Sequence, residues 1–435
     1  MRSFLALLLI VLSASCTQEA PMTVAEKLSP VAEQYVRLAL SLGEHDSDYV
    51  DAYFGPPEWR EQAREQQQNL ADIAAKADAL IARLEGLDAA SAEPLIVLRH
   101  DYLLSHLRSL ATVARLRDGL SLSFDEESRL VYGFVAPSFP QEHYAAVLER
   151  LNEVLPGDGP THERYRSFRQ QFRIPDDRVR AVVRAGLDEC RKRTQQHMTL
   201  PEGESFALEF VNGEPWGAYN WYQGDSQGLI QINLDRPKHL GTSITLGCHE
   251  GYPGHHAFSA LLEQNFLKDR GWIEFSVLPL FSPQGIVFEG SGDLAAAVAF
   301  PGADRGQFLR ETILPLAGIE GADLDALETV RGLMEEKRYA SIEAARNYLD
   351  GNWSKEATAD WLTTFGLVSP EDMSAWFGFT ERYRAYRINY VLGEDLVTSF
   401  VREENPDGDA EGDWRALQKL LSLPPTPAVF SNQAP

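Results

Sequence analysis

The chain has 435 residues, of which 44% are hydrophobic and 24% charged, so its length allows a large core and its composition excludes a disordered protein. It has 64 acidic and 40 basic side chains, which give a formal net charge of −24. Such a negative surface repels phosphate groups and excludes nucleic acid and anionic lipid headgroups as expected partners.

The first 16 residues have the features of an export signal. Arg2 gives a positive start, residues 4–12 are apolar, and Ser13-Ala-Ser-Cys16 forms a small-residue cleavage region. Cys16 is typical of a bacterial lipoprotein, in which this cysteine carries a lipid, although Ser13 stands where an aliphatic residue is usual. Ordinary cleavage after Ser15 is the alternative. We expect an exported protein of the cell envelope, and a lipid on Cys16 is its only expected contact with a membrane.

Residues 17–200 are dominated by helical patterns and are predicted to form a scaffold lobe. Apolar residues recur at spacings of three and four in several segments, which turn clusters separate. The predicted helices are Ala25–Leu42, Trp59–Leu84, Pro94–Arg117, Gln141–Val154 and Asp177–Gln196.

The pattern changes after residue 200. Phe206–Val211 and Gly228–Asp235 alternate apolar and polar residues, which predicts two strands around an aromatic, turn-rich stretch, Glu214–Tyr222. The second strand precedes a helix that begins near Thr242. It either binds an extended peptide along its edge or is an internal hairpin strand. We predict that residues 201–421 form the functional lobe.

Two features of the sequence have plain interpretations. Residues 422–435 are predicted to be a loose tail. Cys190 and Cys248 are the two cysteines after Cys16, too few for a disulfide framework. We expect Cys248 to be a small buried residue, with a soft metal ligand as the alternative.

Residues 249–256 read His-Glu-Gly-Tyr-Pro-Gly-His-His and contain three of the ten histidines of the chain. A zinc hydrolase needs imidazoles that hold the metal and a nearby carboxylate that takes a proton from the metal-bound water. We therefore predict His249 as a zinc ligand and Glu250 as the general base. A buried histidine pair beside an unrelated glutamate is the alternative.

The second ligand is His255 or His256, which follow His249 by six and seven positions. On an unbroken helix neither of them can share a metal ion with His249, because one points to another face and the other lies too far along the axis. The glycines and proline of residues 251–254 predict an interrupted helix. We favour His255 as the ligand, and His256 then supports a ligand or faces the substrate.

A third ligand is expected from the segment that follows. Glu289 and Asp293 are four residues apart, so on a helix they project to the same side. The apolar stretch Leu294–Phe300 predicts burial, and buried carboxylates need partners. We predict that Glu289 binds the metal and that Asp293 accepts the free N–H of a ligating histidine. A solvated pair of carboxylates is the alternative.

Helical patterns return from Glu320 to Val401, and one stretch there combines tyrosines with arginines. It contains Tyr383, Tyr386 and Tyr390 at helical spacing, interleaved with Arg382, Arg384 and Arg387. A tyrosine hydroxyl can stabilise the oxyanion formed when water attacks a carbonyl, and an arginine can bind a substrate carboxylate. A packed tyrosine stripe with solvated arginines explains the pattern equally well.

Several motifs resemble those of a widespread bacterial family of unknown function that is regarded as zinc-metallopeptidase-like. They are the string at 249–256, Phe288–Gly292, Asn389–Gly393, Tyr53–Pro57, Pro215–Tyr222 and Ile232–Asp235. The likeness covers nearly all of the mature chain, and the His-Glu-x-x-Pro-Gly-His-His string is quite specific to that family. Many relatives have an aromatic-rich string where this chain has Ser291-Gly-Asp293, a difference that concerns substrate preference more than metal binding.

The resemblance implies a helical fold similar to those of carboxypeptidase Taq and the thimet-type oligopeptidases, with a deep channel between two lobes. Those proteins carry a Glu-x-Gly-His string, which aligns Gly254-His255 with their second metal ligand. The resemblance also implies that Glu289 is the third ligand and that Tyr390 serves the transition state.

We therefore predict a mainly α, two-lobed, zincin-like metallopeptidase with a small β-element beside the active-site helix. Zn²⁺ is the expected cofactor and short peptides are the expected substrates, whereas the sequence indicates no oligomeric state. A zinc hydrolase of non-peptide amides or esters and a catalytically inactive binding lipoprotein are the alternatives. Glu250 argues against the second alternative, because a purely structural zinc ion has no use for a base.

Overall fold

A computed structural model describes residues 22–214 and 216–430 of the chain, and most of these residues are helical. The prediction of a mainly α fold is therefore confirmed. The helices of the first half are α1 (Val24–Gly43), α2 (Pro57–Gln66), α3 (Leu70–Glu85), α4 (Pro94–Arg117), α5 (Phe124–Glu127), α6 (Gln141–Val154), α7 (Thr161–Gln170), α8 (Val179–His197), α9 (Leu240–Leu246) and α10 (His255–Leu262). Those of the second half are α11 (Gln284–Ala299), α12 (Asp304–Phe308), α13 (Leu314–Ala317), α14 (Leu324–Glu336), α15 (Ala340–Leu349), α16 (Lys355–Trp361), α17 (Pro370–Tyr383), α18 (Ile388–Glu404) and α19 (Ala410–Leu421).

Short strands and single helical turns complete the described elements. The strands are β1 (Val50–Tyr53), β2 (Ser205–Val211), β3 (Ala218–Gly224), β4 (Gln227–Asn233) and β5 (Val277–Pro279). Turns of π-helix lie at Ser128–Tyr132, Gly247–Gly251, Glu263–Lys268, Leu309–Ile313 and Leu362–Gly366, and 3₁₀ turns at Ile273–Ser276, Arg384–Arg387 and Pro427–Phe430.

The single helix predicted over Trp59–Leu84 is wrong, because the structure has two helices there. Helix α2 ends at Gln66, and Gln67 adopts a left-handed conformation with φ of 44°. Asn69 then starts α3 by accepting a hydrogen bond from the backbone N–H of Asp72. A side chain that caps a helix in this way satisfies a backbone donor that the first turn leaves free, so it favours a new start.

Three strands form a sheet in the order β2-β4-β3, in which β4 pairs parallel to β2 and antiparallel to β3. The predicted strand Gly228–Asp235 corresponds to β4, whose two edges are therefore both occupied. The hypothesis that this strand binds a peptide along its edge is wrong, since it is internal. Strand β3 lies in the stretch that was expected to be turn-rich, where aromatic side chains favour an extended backbone.

The predicted boundary at residue 200 does not divide the core. Strand β1 pairs antiparallel with β5, and α8 packs against α9, so elements from both predicted lobes are in direct contact. Arg99 of α4 also forms a fully buried ion pair with Glu274, with Nε 2.5 Å from Oε1. One continuous hydrophobic core includes buried residues from Leu28 to Phe430.

Helices α11 and α18 pack closely where two glycines face each other. A Cβ atom at Gly290 would clash with the carbonyl group of Gly393. Only glycine therefore allows this close approach. The contact places the first turn of α18, with Tyr390, beside Glu289 of α11.

The predictions for the two ends of the chain have different outcomes. The prediction of a loose tail is wrong for residues 424–430, because Thr426 and Phe430 are buried and the Phe430 ring packs against Phe134 and Phe400. Residues 431–435 and the predicted export signal, 1–16, lie outside the described residues. Within the described ranges, no helix combines the length and the apolar character that crossing a membrane requires.

Candidate metal centre

The helix that carries His249 is interrupted before His255, which confirms the predicted break. Helix α9 continues into the π-helical turn Gly247–Gly251, the chain then turns, and α10 begins at His255. A Cβ atom at Gly254 would clash with the carbonyl oxygen of His249, so this turn requires glycine. The turn brings the rings of His249 and His255 to a centroid distance of 4.4 Å.

The structure brings His249, His255 and Glu289 together. One donor atom from each of them lies within 4.8 Å of the other two. Oε2 of Glu289 is 3.3 Å from Nε2 of His249 and 3.7 Å from Nε2 of His255, and no hydrogen bond satisfies this buried oxygen. Ligands at ordinary zinc distances in a tetrahedron are about 3.3 Å apart. Two imidazoles and one carboxylate at this spacing fit a zinc ion and leave a fourth position for water.

Asp293 contacts the ring of His249 on the side away from the donor cluster. Its Oδ1 lies 2.9 Å from Nδ1 of His249, so it can accept the N–H of that nitrogen and leave Nε2 free to bind a metal. Burial lowers the pKa of His249, but Asp293 and Glu289 together raise it well above its ordinary value. A Cβ atom at Gly292 would lie 2.9 Å from the same ring, so the small residue lets α11 approach it.

Glu250 is buried beside the two histidines. Burial raises the pKa of its carboxyl group, and Glu289 and Asp293 raise it further, while His249 and His255 act in the opposite direction. Its backbone carbonyl accepts a hydrogen bond of 2.7 Å from Nδ2 of Asn220, a residue of β3. The sheet therefore supports the residue that is expected to act as the base.

His256 points away from the donor cluster and into the protein. It is fully buried, and its Nε2 lies 3.3 Å from Oε2 of Glu204. Tyr252 donates to the same oxygen of Glu204, and Arg191 donates to the other at 2.7 Å. The alternative that His256 faces the substrate is therefore wrong, because Glu204 holds the ring in the interior.

Two of the three tyrosines of the C-terminal stripe surround Glu289. The hydroxyl of Tyr386 donates a hydrogen bond to Oε1 of Glu289, the oxygen that does not face the histidines. The ring of Tyr390 packs edge-on against Tyr386 at 5.9 Å. Burial raises the pKa of Tyr390 most, followed by the charges of Glu289, Asp293 and Glu250, so its hydroxyl keeps its proton.

The three arginines beside these tyrosines each contact other side chains of the protein. Arg382 forms a bidentate pair with Asp48, and Arg384 pairs with Glu127 at 2.6 Å. Arg387 lies between Trp376 and Phe379 and donates to Thr380. The alternative of solvated arginines is wrong for Arg387, whose guanidinium group lies between two aromatic rings, whereas the side chain of Arg384 remains 32% exposed.

Cys190 of α8 and Cys248 form a disulfide bond, with their Cα atoms 5.3 Å apart. The expectation that Cys248 is simply a small buried residue is therefore wrong. Helix α8 packs so closely on α9 that a Cβ atom at Gly186 would clash with the carbonyl group of Ser243, and this approach brings the two sulfur atoms together. The bond fixes the backbone immediately before His249 to α8.

Asp51 of β1 and Tyr219 of β3 lie within electrostatic range of the donor cluster, and neither is predicted from the sequence as a site residue. The hydroxyl of Tyr219 donates a hydrogen bond to Asp51. Burial raises the pKa of Asp51 to about 6, and the charges of His255, Glu289 and Glu250 also influence it. The one local signal was the acidic pattern at residues 46–51, which also suits a solvated turn.

A polar cleft begins at Asp293 and Tyr390. It has a volume of about 580 Å³, and its walls carry several charged side chains. These are Arg305, Arg331, Arg338, Glu328, Glu335 and Glu394. A cleft of this size next to the donor cluster has room for a short peptide segment.

Comparisons with known proteins add information about the fold. No protein-family model and no curated protein matches the chain. Among solved structures, the chain is similar to the "putative lipoprotein from Colwellia psychrerythraea", with a TM-score of 0.50 and 16% sequence identity over 84% of this chain and 72% of that one. At this identity the likeness shows a shared fold and carries no information about activity.

Proposed function

We propose that this protein is a zinc-dependent hydrolase that cleaves peptide bonds of short peptides. The observation that carries the proposal is the convergence of His249, His255 and Glu289 on one point, with the buried Glu250 beside them. A structural zinc site usually has four protein ligands, whereas three ligands and an adjacent base are the composition of a hydrolytic site.

A bound zinc ion would polarise the substrate carbonyl and acidify a water molecule. Glu250 accepts a proton from the attacking water at its carboxylate and delivers it to the leaving amine. The hydroxyl of Tyr390 donates a hydrogen bond to the oxygen of the former carbonyl, on which negative charge develops. Asp293 and Tyr386 keep the ligands His249 and Glu289 in position through the contacts described above.

Short peptides are the proposed substrates because the polar cleft is lined by Asp293, which contacts His249, and by Tyr390. Its mixture of arginine and glutamate side chains suits the charged ends and main-chain groups of a peptide better than an apolar ligand. The resemblance to carboxypeptidase Taq and the thimet-type oligopeptidases supports the same reading, with a zincin-like arrangement of two lobes around a channel.

We further propose that the protein works in the cell envelope. The predicted export signal at residues 1–16 with Cys16 supports this location, and the structural neighbour from Colwellia psychrerythraea is itself described as a "putative lipoprotein". The buried disulfide between Cys190 and Cys248 agrees with folding in an oxidising compartment.

Metal analysis of the mature protein tests the proposal, with His249→Ala and Glu250→Gln as the two variants. We expect one zinc ion per chain in the wild type and in Glu250→Gln, and none in His249→Ala. Cleavage of a pool of random pentapeptides, followed by mass spectrometry, is expected for the wild type alone. A parallel panel of small amides and esters tests the non-peptide alternative. A wild type that takes up no zinc overturns the hydrolase proposal and leaves a binding lipoprotein.

A further inference from the structure

Three aspartates lie close together at the start of β1, and one of them differs from the others in its partner. Asp46 pairs with Arg117, and Asp48 forms two hydrogen bonds of 2.6 Å with Arg382. Asp51 accepts a hydrogen bond from the hydroxyl of Tyr219. The partners of Asp46 and Asp48 are therefore arginines, whereas the hydroxyl that donates to Asp51 is neutral.

The backbone of β1 directs this side chain toward the donor cluster. Val50 lies opposite Pro279 of β5 and Ala52 opposite Leu278, so Asp51 is the extra residue of a β-bulge. A bulge turns the side chain of its extra residue away from the regular alternation, and bulges are common beside active sites. Ala52 remains buried in the core, while Asp51 reaches Tyr219 on the neighbouring sheet.

Asp51 lies near the donor cluster without belonging to the set of ligands. The charges of His255, Glu289 and Glu250 all influence its carboxyl group, so these residues lie within electrostatic range. None of them forms an ion pair or a hydrogen bond with Asp51. A group bound to Asp51 would therefore lie beside the point on which the ligands converge.

Aromatic rings surround Tyr219, the hydrogen-bond partner of Asp51. The ring of Tyr219 packs between those of Trp216 and Trp221, at centroid distances of 5.7 and 4.4 Å. Trp221 is 39% exposed, so part of its ring is open to solvent. The faces of such rings attract cations, and indole does so most strongly. A carboxylate and aromatic faces together form a site that suits an organic cation.

We propose that Asp51, with the rings of Tyr219 and Trp221, binds an ammonium group of the substrate close to the scissile bond. This inference rests on the proposed function and specifies the substrate class. The ammonium is either the free amino terminus of a short peptide or the side chain of a lysine. Both present an –NH₃⁺ donor that a carboxylate accepts in a charge-assisted hydrogen bond.

Three pools of random pentapeptide amides distinguish an ammonium group at the amino terminus from one on a lysine side chain. The first lacks lysine, arginine and histidine and has free amino termini. The second is its N-acetylated form, and the third is N-acetylated and contains one lysine. Binding is measured by ultrafiltration and mass spectrometry on zinc-loaded Glu250→Gln protein, which does not turn over substrate, and cleavage is measured on the wild type. We expect the first or the third pool to be enriched at least about 10-fold over the second, as a charge-assisted hydrogen bond implies.

Asp51→Asn is the test variant, combined with Glu250→Gln for the binding measurement. It keeps an acceptor for Tyr219 and removes the charge, so we expect the preference to fall to about one while zinc content is unchanged. Asp48→Asn removes the same charge three residues away and should keep the preference, since Asp48 faces Arg382. Equal binding of all three pools, or a preference that survives Asp51→Asn, overturns the inference. Ammonium-dependent binding without cleavage would overturn the peptidase proposal and leave the binding site in place.

Discussion

Nδ1 of His249 lies 2.9 Å from Oδ1 of Asp293. Asp293 follows the proposed ligand Glu289 by one helical turn on α11. The carboxylate thus fixes the orientation of a ring that is expected to bind the metal through its other nitrogen. For Asp293→Ala we expect a zinc affinity that is lower by about 10–100-fold, with the fold retained. Competition with a zinc chelator measures the affinity, and circular dichroism provides the control for folding. An unchanged affinity would mean that Asp293 does not support the ligand.

Tyr386 and Tyr390 should have different roles although they are four residues apart. Tyr386→Phe removes the hydrogen bond to Glu289, so we expect zinc affinity to fall by about 10-fold or more. Tyr390→Phe should leave zinc affinity unchanged and lower kcat by about 10²–10³-fold, because it removes a donor to the oxyanion. Chelator competition and steady-state kinetics on the same two variants distinguish these outcomes. Equal effects of both variants on zinc would argue against an oxyanion role for Tyr390.

For the buried ion pair of Arg99 and Glu274, we expect that removing one partner destabilises the fold more than replacing both. Both side chains are almost fully buried, and Nη2 of Arg99 also donates to Oε2 of Glu274 at 3.1 Å. Arg99→Met leaves a carboxylate without a partner in the interior, and we expect it to lower the free energy of unfolding by about 3–5 kcal/mol. The double variant Arg99→Met/Glu274→Leu should lose less than the single variant. Urea unfolding measures both, and a double variant as unstable as the single one would contradict this account.

The disulfide bond is expected to stabilise both the fold and the donor cluster. It links residues separated by 58 positions, and cross-linking a loop of this length contributes about 4 kcal/mol by restricting the unfolded chain. We expect Cys190→Ala/Cys248→Ala to lower the midpoint of urea unfolding and to weaken zinc binding, because Cys248 precedes His249. Wild-type protein treated with a reductant should show the same change, whereas the double variant should not respond to it.

His106 predicts a loss of stability in acid. Burial lowers its pKa to about 3, and its Nδ1 bonds to the backbone oxygen of Tyr102 at 2.9 Å. In the unfolded chain a histidine titrates near pH 6.5, so between pH 6.5 and about 3 the unfolded state binds the extra proton. The contribution of neutral His106 to the stability of the fold is therefore complete above pH 6.5. It is lost progressively as the pH falls from 6.5 to about 3. The free energy of unfolding that is lost between pH 7 and pH 4.5 through this residue is about 2–3 kcal/mol.

The free energy of unfolding of His106→Gln at these two pH values tests this contribution. Glutamine does not titrate, so the loss of stability on acidification should be smaller in the variant than in the wild type by about 2–3 kcal/mol. Identical losses in the two proteins would show that His106 does not contribute to the acid sensitivity.

The helical scaffold could largely be predicted from the sequence because its signals are local. Helices α4 and α6 have the predicted bounds, since long apolar periodicities end there at clear turn signals. The break at Gln67 was missed because glutamine is a good helix former and no glycine or proline marks the turn. Asn69 followed by Asp72 was the available signal, since asparagine is among the best residues for starting a helix.

The residues of the candidate site fall into two groups, according to whether the local sequence predicts their proximity. The sequence brings His249, Glu250 and His255 into one short string, so their proximity follows from the local chain. Tyr386, Tyr219 and Asp51 reach the cluster through pairings of distant segments, and no local pattern shows which strand or helix lies beside another. The disulfide between Cys190 and Cys248 belongs to the second group, because it depends on how closely α8 packs on α9.

The contact of Gly290 with Gly393 has a consequence for the newly made chain. Helix α18 is synthesised after α11, and it packs against the helix that carries Glu289 through this contact. A chain that is still being made therefore lacks a complete site even when residues 249–255 are already present. Because domains fold as units once their residues are available, the proposed hydrolytic activity would arise only after α18 has been made and has packed on α11. If the proposed activity is correct, peptides in the compartment where the chain is synthesised would be protected from the unfinished chain.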